Sequence, residues 1–482
     1  MPVIDVPIAS GFYESESLPI SAQRCVNFYP NIPQSQSLSP ENLFGAPGIE
    51  QLTTTGDFEH INRGAHVKNG IPYFVNGGNL YSLDRTIDSE LNESFSTTSL
   101  GAVSGTGRVS MADNGQQLII LVPGGSGYIY DEDAGTPFAE ITDPDFTANG
   151  TPQYVVYIDG YFAVTTDSKK WIISALNDGT SWSALDFGTA EVDPDLIVAP
   201  VVHKNRLYIT GSETTEGFDN RPSGASFPFI RSSVFMNKGC SAPFSLVLAS
   251  DTFMMIGRGV NESPAIWQFT GNNYQKLSTT AIDNKLAEFT DSEIDDAFGF
   301  VYGDKGAYFV GWTISDFTII YDSVSQKWHE RESTIDERQR RWRVNSLVSA
   351  YGRILVGDNH DGRIGQLTSD VYTEYGSVIS SYITTPPLSR QGEYIKVKSA
   401  EATVESGVGN SAVVDPQISL SVSRDGKTFD YERQRSMGEI GKYNQRAIWF
   451  NIGRFPRFAV FKLSISDPVK KVLIGFRLRA TQ

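Results

Sequence analysis

The 482-residue chain is 40% hydrophobic and 12% aromatic, with 44 Gly and 23 Pro, a composition that favours an all-β protein with many turns. Its formal charge of −16, from 40 basic and 56 acidic residues, argues against tight binding of nucleic acid, which needs Lys and Arg to neutralise phosphates. No apolar run approaches the ~18 residues of a membrane helix, so membrane insertion is not expected, and the length predicts two or three domains.

Residues 1–50 are rich in Pro, Ser and Asn and show no sustained period. They are predicted to form an extended N-terminal arm that gains order by lying on another surface. The first residues lack a basic region followed by an apolar core, so no secretory signal is expected and the chain should fold in a cytoplasm. The two cysteines, Cys25 and Cys240, are predicted to be buried thiols rather than a disulfide framework.

Residues 51–372 repeat a tight turn followed by an apolar strand, mostly at intervals of 45 or 46 residues. The turns are Asn69-Gly70, Asn114-Gly115, Asp159-Gly160, Lys204-Asn205, Ser250-Asp251, Lys305-Gly306 and Tyr351-Gly352. A period of roughly 40–50 residues built from short strands is typical of a β-propeller, because each unit has an apolar flank that only a neighbour can cover. The chain is therefore predicted to contain about seven blades, with six also possible.

Six of the seven units also show a second turn and a return strand. In the fourth unit, the Gly-, Ser- and Pro-rich stretch 211–226 is predicted to replace the return strand with a protruding loop that contacts another subunit. One helix is expected between the fifth and sixth units, capped by Thr280 and extending to about Ala297.

Residues 373–482 follow a different pattern, in which polar and apolar residues alternate strictly, as at 418–422 and again at 461–465. Alternation of this kind is typical of strands with one buried face. About 105 residues of such strands predict a separate C-terminal β-sandwich.

No catalytic, metal or cofactor site is predicted from motifs, because the HExxH, CxxC, GxSxG and Walker patterns are absent. The five histidines have no spacing suited to a metal site. Asp358-Asn359-His360-Asp361-Gly362 has the look of a cation loop, but it lacks the later bidentate acid and stands where the other units have their second turn.

Two hairpin sequences, at 177–182 and 423–429, are similar to the Asp-box hairpins of sialidases, although both depart from the full motif. An Asp-Gly turn explains them equally. They leave open a second function, a carbohydrate-binding or glycan-cleaving propeller of the receptor-binding kind. A third possibility, an intracellular scaffold of the kelch kind, predicts a monomer.

Arg338, Arg340 and Arg341 precede Trp342 in an otherwise acidic chain. Basic residues beside an aromatic ring can touch a phosphate or the acidic rim of a partner, so these four residues are candidate partner contacts. The alternative is a solvated loop that leads into the seventh unit.

Several short segments, spread over nearly the whole chain, form a recognisable set. Their positions are Cys25, Asn27, Tyr29, Pro30, Pro47, Gly48, Arg108, Gly239, Pro243, Gly357, Asp358 and Gly365, with the C-terminal segments 446–454 and 476–479. Together, and in this order, they resemble the tail-hub family of short-tailed phages, the packaged DNA stabilisation proteins.

The resemblance implies a structural, non-enzymatic virion protein that forms a sixfold ring (a homo-oligomer) below the portal and its adaptor ring. Such a ring, assembled in the host bacterial cytoplasm, continues the DNA channel, retains packaged DNA, and carries a tail needle or tip and the tailspikes or fibres. Double-stranded DNA would pass through without sequence-specific binding. Because the chain is acidic, we expect a predominantly acidic or neutral lumen along which DNA slides.

Overall fold

The computed structural model describes residues 3–33, 35–190, 192–193, 195–221, 227–389 and 393–481. Within these ranges the chain is almost entirely β, with helices at Thr280–Leu286 and Asp291–Asp295. Short 3₁₀ turns occur at Phe58–His60, Pro144–Phe146 and Pro243–Ser245. None of these described helices has the length and apolar content needed to cross a bilayer.

Seven antiparallel sheets succeed one another along the chain as blades 1 to 7, which confirms the predicted propeller. From the innermost strand outward, blade 1 contains Asn62–Lys68, Ile71–Asn76, Asn79–Ile87 and Glu93–Ala102; blade 2 contains Ser110–Asp113, Leu118–Leu121, Gly127–Tyr130 and Phe138–Glu140; and blade 3 contains Pro152–Ile158, Tyr161–Thr166, Lys170–Ala175 and Asp178–Thr189. Blade 4 contains Ile197–His203, Arg206–Gly211, Thr215–Asn220 and Phe229–Met236, and blade 5 contains Gly239–Cys240 with Val247–Ala249, then Thr252–Arg258, Ala265–Phe269 and Tyr274–Lys276. Blade 6 contains Phe298–Asp304, Ala307–Ile314, Phe317–Asp322 and Lys327–Glu330, and blade 7 contains Val344–Ala350, Arg353–Asp358 and Arg363–Thr368, completed by Gly48–Thr54.

The predicted turns connect the first and second strands of every blade. In five of these turns both residues have positive φ, for example 52° at Asn69 and 79° at Gly70, whereas in the other two only Gly115 and Ser250 do. Two successive residues in this region match the twist of the flanking strands, and Asn, Asp and Gly adopt it most easily. For this reason the turns are the feature of the fold that is easiest to recognise in the sequence.

The ring closes between blades 7 and 1. The innermost strand of blade 7, Val344–Ala350, packs beside Asn62–Lys68 of blade 1. The outermost strand of blade 7 comes from the N-terminal part of the chain: Gly48–Thr54, here called the latch strand, pairs antiparallel with Arg363–Thr368. Residues from the two ends of the propeller sequence thus share one sheet, which fastens the ring.

The prediction that residues 211–226 replace the return strand of blade 4 is wrong. Thr215–Asn220 forms that strand and pairs with Arg206–Gly211; residues 222–226 lie outside the described residues. The strand has no aliphatic run. Its buried polar side chains instead have polar partners. Glu216 pairs with Arg231 at 2.7 Å, and the Thr215 hydroxyl donates to the Lys238 carbonyl at 2.7 Å.

The predicted helix is present but is broken in two. Thr280–Leu286 ends early, and a second helix of five residues begins after Thr290. Thr280 is not the cap. The first helix has Thr279 at its N-cap position, and Thr290 forms a capping box with Glu293 in the second. Ile282 and Leu286, four residues apart and so on one face of the first helix, are buried against blades 5 and 6.

The C-terminal region is a β-sandwich, as predicted. One sheet contains, in spatial order, Ala447–Phe455, Ile395–Val404, Val472–Thr481, Asn42–Gly45 and Phe28–Asn31, with Val3–Val6 also paired to Val472–Thr481. The other contains Ser381–Thr384, Phe458–Ile465, Gln417–Ser423 and Arg433–Ser436, with Leu388–Ser389 on Phe458–Ile465. Their facing side chains, including Trp449 and Phe461, form one core.

The N-terminal segment lies on both domains of its own chain. Cys25–Val26 pairs with Ser381–Thr384 of the sandwich and, in parallel, with the outermost strand of blade 6. A continuous ten-stranded sheet therefore runs from blade 6 through this segment into the sandwich. Two further short hairpins, Tyr13–Glu14 with Ala22–Gln23 and Thr373–Glu374 with Ser377–Val378, flank the junction.

Candidate functional site

Arg108 stands at one mouth of the propeller axis. Its guanidinium carbon lies 3.4 Å from the ring centre of Phe298 in blade 6, and Nη2 donates to the carbonyl and to Oδ1 of Asn345 in blade 7, both at 2.8 Å. Blade 1 separates Arg108 from blade 7, so these contacts reach across the axis. Tyr154 of blade 3 meets Phe244 of blade 5 edge to face at 5.3 Å. Side chains from non-adjacent blades therefore meet at this mouth, where they line a cavity of about 550 Å³.

Two arginines at this mouth have lowered pKa values because they are buried. Burial and, second, the positive charge of Arg341 lower the pKa of Arg108 to about 9. Burial also lowers the pKa of Arg341 to about 10. Arg341 donates to the same Oδ1 of Asn345 at 3.0 Å, so two arginines share one amide oxygen. The arrangement fixes blades 2, 6 and 7 relative to one another.

Asn27 organises the junction of propeller, N-terminal segment and sandwich. Its φ is 54°, and its side-chain nitrogen donates to the carbonyls of Glu332 at 2.9 Å and Ser380 at 2.8 Å. Its Oδ1 accepts from the Glu332 nitrogen at 3.1 Å. One amide thus connects blade 6 to the sandwich. Beside it, the thiol of Cys25 is buried and donates to the Phe28 carbonyl at 3.3 Å.

Charged groups at the junction are paired inside the protein. Arg24 lies 2.6 Å from Glu330 and 2.8 Å from Glu332, with its guanidinium 5.5 Å from the ring centre of Tyr382. Glu330 is almost fully buried. The Arg24–Glu330 pair joins the N-terminal segment to the end of blade 6. Its role is therefore structural.

A second buried group lies under the latch strand. Arg331 donates to the Pro47 carbonyl at 3.0 Å and to Glu374 at 3.3 Å, and its guanidinium lies 4.5 Å from the ring centre of Trp342. Glu374 also accepts from the indole nitrogen of Trp342 at 3.0 Å. Arg331 and Trp342 have no exposed surface. This group fixes the chain where it enters the latch strand.

The latch strand begins at a glycine because the chain passes through a narrow gap. A Cβ on Gly48 would lie 2.3 Å from the Val371 carbonyl oxygen, and one on Gly365 would lie 2.6 Å from Ile49. Gly357 similarly allows Asn62 of blade 1 to approach. Tyr29 and Pro30 lie on the strand Phe28–Asn31, and the ring of Tyr29 meets that of Phe309 in blade 6 edge to face, with 5.2 Å between ring centres.

The cation-loop resemblance at 358–362 comes from turn chemistry. The Asp358 carboxylate is fully buried, pairs with Arg343, and accepts from the His360 nitrogen at 2.7 Å. Among the described residues, no group of three or more His, Cys, Asp or Glu side chains is placed to hold a metal ion.

The two Asp-box-like hairpins also use their carboxylates locally. Asp178 accepts from the Thr180 nitrogen at 2.9 Å. Backbone N–H groups of Thr428 and Lys427 lower the pKa of Asp425 to about 2. Each carboxylate therefore supports its own turn.

Gly239 and Pro243 belong to the start of blade 5. Gly239 lies against the backbone of residues 211–213, where a Cβ would be 2.3 Å from the Gly211 carbonyl oxygen. Pro243 begins the 3₁₀ turn Pro243–Ser245. The buried thiol of Cys240 donates to the Ala242 carbonyl at 3.0 Å. These family-motif positions serve the packing of blade 5 on blade 4.

A cavity of about 810 Å³ lies between blade 6, the N-terminal segment and the sandwich. Lys471 lines it, and its amine donates to the Ser381 hydroxyl at 3.1 Å. Burial lowers the pKa of Lys471 to about 7. This is the one titration at the described junction that falls near neutral pH among those whose shift is resolved.

The arginine-rich segment is a hairpin, not a loop. Arg338–Arg341 pairs with Glu332–Ile335 between blades 6 and 7. Arg338 and Arg340 are exposed, whereas Arg341 turns towards the axis and Trp342 is buried. The structure thus separates the four predicted contact residues: of these, Arg338 and Arg340 are exposed, Arg341 is half-buried and Trp342 is buried.

Charge is divided unequally between the C-terminal sandwich region and the rest of the chain. Residues 1–380 contain 24 basic and 47 acidic residues, a formal charge of −23, whereas residues 381–482 contain 16 basic and 9 acidic residues, a charge of +7. A count per domain would have revealed this division without a structure. The overall value of −16 conceals it.

Comparisons with known proteins agree on one family. A family model described as the β-propeller of bacteriophage P22 Gp10 matches residues 4–372, and one for the β-sandwich of the same protein matches 381–481. The chain is 22% identical over 469 residues to tail hub protein gp10 of Salmonella phage P22, which covers 93% of this chain and 94% of that protein.

Similarity to solved structures is weak. PorZ, a component of the type-IX secretion system of Porphyromonas gingivalis, is 10% identical with a TM-score of 0.38, covering 73% of this chain and 44% of PorZ. The computationally designed Ika8 protein is 11% identical with a TM-score of 0.34, covering 66% of this chain and 99% of Ika8. At these TM-scores neither structure bears on function.

Proposed function

The chain belongs to the bacteriophage P22 Gp10 family of tail-hub proteins, and we propose that it forms the nozzle of a short-tailed phage tail. Family membership makes it a structural protein of the virion tail. In our proposal, six copies form a ring below the portal and adaptor. The ring continues the DNA channel, retains packaged DNA and carries the tail tip with its spikes or fibres. Assembly takes place in the host cytoplasm.

The observation that carries the proposal is the order and extent of the match. Both domains are matched in sequence, with 93% of the chain aligned to one tail hub protein. Most family-motif positions lie at the axis, the latch strand and the junction, and Gly239 and Pro243 lie where blade 5 packs on blade 4. Residues at such positions maintain the shape of the subunit, which is what a structural ring component needs.

Contacts across the propeller axis support a DNA path outside the propellers. Because Arg108, Phe298 and Asn345 meet across one mouth of the propeller, a duplex has no open path through a single subunit. In our proposal the channel is the opening enclosed by the ring of subunits. The propellers serve as wall segments, and their outer surfaces provide the lining.

The charge of the ring favours sliding over binding. Six copies carry a formal charge of −96, six times −16. A lining with 6–10 phosphate contacts would bind DNA with an affinity that changes by about 10³–10⁵ between low and moderate salt. An acidic or neutral lining avoids this grip. For this reason the basic residues of the sandwich should face away from the lumen.

A reconstitution tests the proposal. DNA-filled capsids that carry the adaptor but lack this chain should lose DNA, and adding the purified protein should restore retention of DNA. About six copies should bind per particle. Particles that hold their DNA equally well without the chain, or virions that do not contain it, would contradict the proposed function.

A further inference from the structure

One face of the sandwich carries a concentration of positive charge. Strand register places Arg454 beside Lys396, and Arg479 beside Ser399, which in turn neighbours Phe450. The side chains of Lys396, Phe450, Arg454 and Arg479 are exposed, whereas Ser399 is buried between them. The exposed cations of this basic face are Lys396, Lys398, Arg446, Arg454, Arg477 and Arg479.

Blades 2 and 3 have the opposite character. Residues 110–189 contain eleven Asp and Glu but only two Lys and Arg. Asp133, in the turn before the outermost strand of blade 2, and Glu140, at the end of that strand, are both exposed. On the outermost strand of blade 3, Asp186 follows Leu185, whose side chain is 83% exposed. We call this outer edge of blades 2 and 3 the acidic rim.

The two surfaces lie at opposite ends of the subunit. The sandwich joins the ring at the outermost strand of blade 6, through Cys25–Val26. In a closed ring of seven, blades 2 and 3 are the farthest from blade 6. A contact between opposite ends of identical subunits is heterologous, and repetition of it produces a closed ring or a filament.

We propose that the basic face of one copy docks on the acidic rim of the next copy. The inference rests on the ring of the proposed function and specifies its subunit interface. Charge complementarity orients the contact and steers encounter. Phe450, 66% exposed, and Leu185 supply apolar area within the two charged surfaces. Aromatic residues and arginine are the types enriched at protein interfaces.

The composition of the basic face favours an acidic protein over DNA. Glu401 lies within it and pairs with Arg446 through two contacts of 2.8 Å, and Asp5 pairs with Arg477 at 2.7 Å. These carboxylates would repel phosphates, whereas a protein surface can place hydrogen-bond donors opposite them. Binding of duplex DNA is therefore an alternative that the experiment must separate.

Complementary charge reversals test the interface with the full-length protein. One variant, Lys398→Glu with Arg479→Glu, reverses two cations of the basic face, and the other, Asp133→Lys with Glu140→Lys, reverses two carboxylates of the rim. Self-association of the wild type, measured by sedimentation velocity, should weaken as salt rises. Each variant alone should associate at least about 100-fold more weakly, because like charges then oppose one another.

A mixture of the two variants provides the decisive result. Every contact in an alternating ring of the two again joins opposite charges, so the equimolar mixture should associate like the wild type. The matched control, Asp251→Lys with Asp291→Lys on blade 5 and its helix, makes the same charge change away from both surfaces and should associate normally. Far-ultraviolet circular dichroism would confirm that all variants fold.

Three outcomes would overturn the inference. Rings that persist in both variants would show that other surfaces join the subunits, and would leave the proposed function intact. The contact would be rejected if two results were found together. The wild type would stay monomeric at all protein and salt concentrations, and carbodiimide treatment of tails containing labelled and unlabelled copies would yield no cross-link from Lys398 to Asp133 or Glu140. Loss of duplex-DNA binding in the first variant, with rings intact, would assign the basic face to phosphate.

Discussion

The junction beside blades 6 and 7 and the acidic rim of blades 2 and 3 use charged residues in opposite ways. At the junction, Arg331 with Glu374 and Arg343 with Asp358 are buried pairs. On the rim, Asp133 and Glu140 are exposed. Buried pairs are costly to break, whereas exposed charges contribute little to folding. The comparison assigns the first group to the shape of the subunit and the second to its association.

The largest effect should follow from breaking the pair under the latch strand. Arg331→Ala leaves Glu374 buried without its cation and removes the contact to the Pro47 carbonyl. The free energy of unfolding, measured in urea, should fall by about 3–5 kcal/mol. Arg338→Ala, on the exposed hairpin nearby, should change it by no more than about 0.5 kcal/mol.

A second variant separates charge from packing at the same place. Arg331→Met combined with Glu374→Leu removes both charges together and should recover much of the lost stability, since no unpaired charge remains. If Arg331→Ala lowers the free energy of unfolding no more than Arg338→Ala does, the buried pair does not support the latch strand and the comparison between the two regions fails.

The next effect concerns the gap through which the latch strand enters. Gly48→Ala would bring a methyl group to within 2.3 Å of the Val371 carbonyl oxygen, which is backbone and cannot rotate away. We expect a loss of about 1–3 kcal/mol in unfolding free energy. At Gly78 the atom nearest to an added Cβ is 3.9 Å away, so Gly78→Ala provides the control. Equal stability of the two variants would argue against a tight entry.

Lys471 gives the junction a dependence on pH. Its folded-state pKa of about 7 is below the unfolded value of about 10.4, so the unfolded chain binds more protons between these values. Stability should therefore rise with pH across that window, by at most about 1.4 kcal/mol per pH unit from this group, and should level off below pH 7.

The control for this titration is Lys471→Met, which keeps the length of the stem without the amine. Urea unfolding between pH 7 and pH 9.5 should show a smaller rise for this variant than for the wild type. An identical slope in both proteins would mean that Lys471 keeps an ordinary pKa.

The smallest effect is expected on the rim. Asp133→Lys and Glu140→Lys should each change the unfolding free energy of the monomer by less than about 0.5 kcal/mol, because both side chains are exposed. Thermal unfolding at low protein concentration measures this. A loss of several kcal/mol would mean that the rim is structural, and the contrast with the junction would disappear.

The sequence predicted the propeller well because its turns need particular residues. Asn69, Asp159 and Gly306 take positive φ, which few residue types adopt readily, so the period was visible. The return strand of blade 4 was missed because Thr215 and Glu216 are buried with polar partners. Hydrophobic pattern cannot identify a strand whose interior contacts are hydrogen bonds.

The latch strand and the junction could not be predicted from local pattern. Gly48–Thr54 pairs with residues more than 300 positions later, and its sequence has no long apolar run. The family resemblance nevertheless identified Asn27, Pro47 and Gly48, which the structure places at the junction and the latch strand. The basic face was missed because charge was summed over the whole chain rather than over each domain.

Cryo-electron microscopy of the intact virion tail tests the central claim most directly. We predict six copies of the chain arranged around the DNA path, with the axis of each propeller closed by side chains and the lumen lined by acidic or neutral residues. A tail without this chain, or one in which DNA runs along a continuous basic stripe or through the centre of a propeller, would contradict the account.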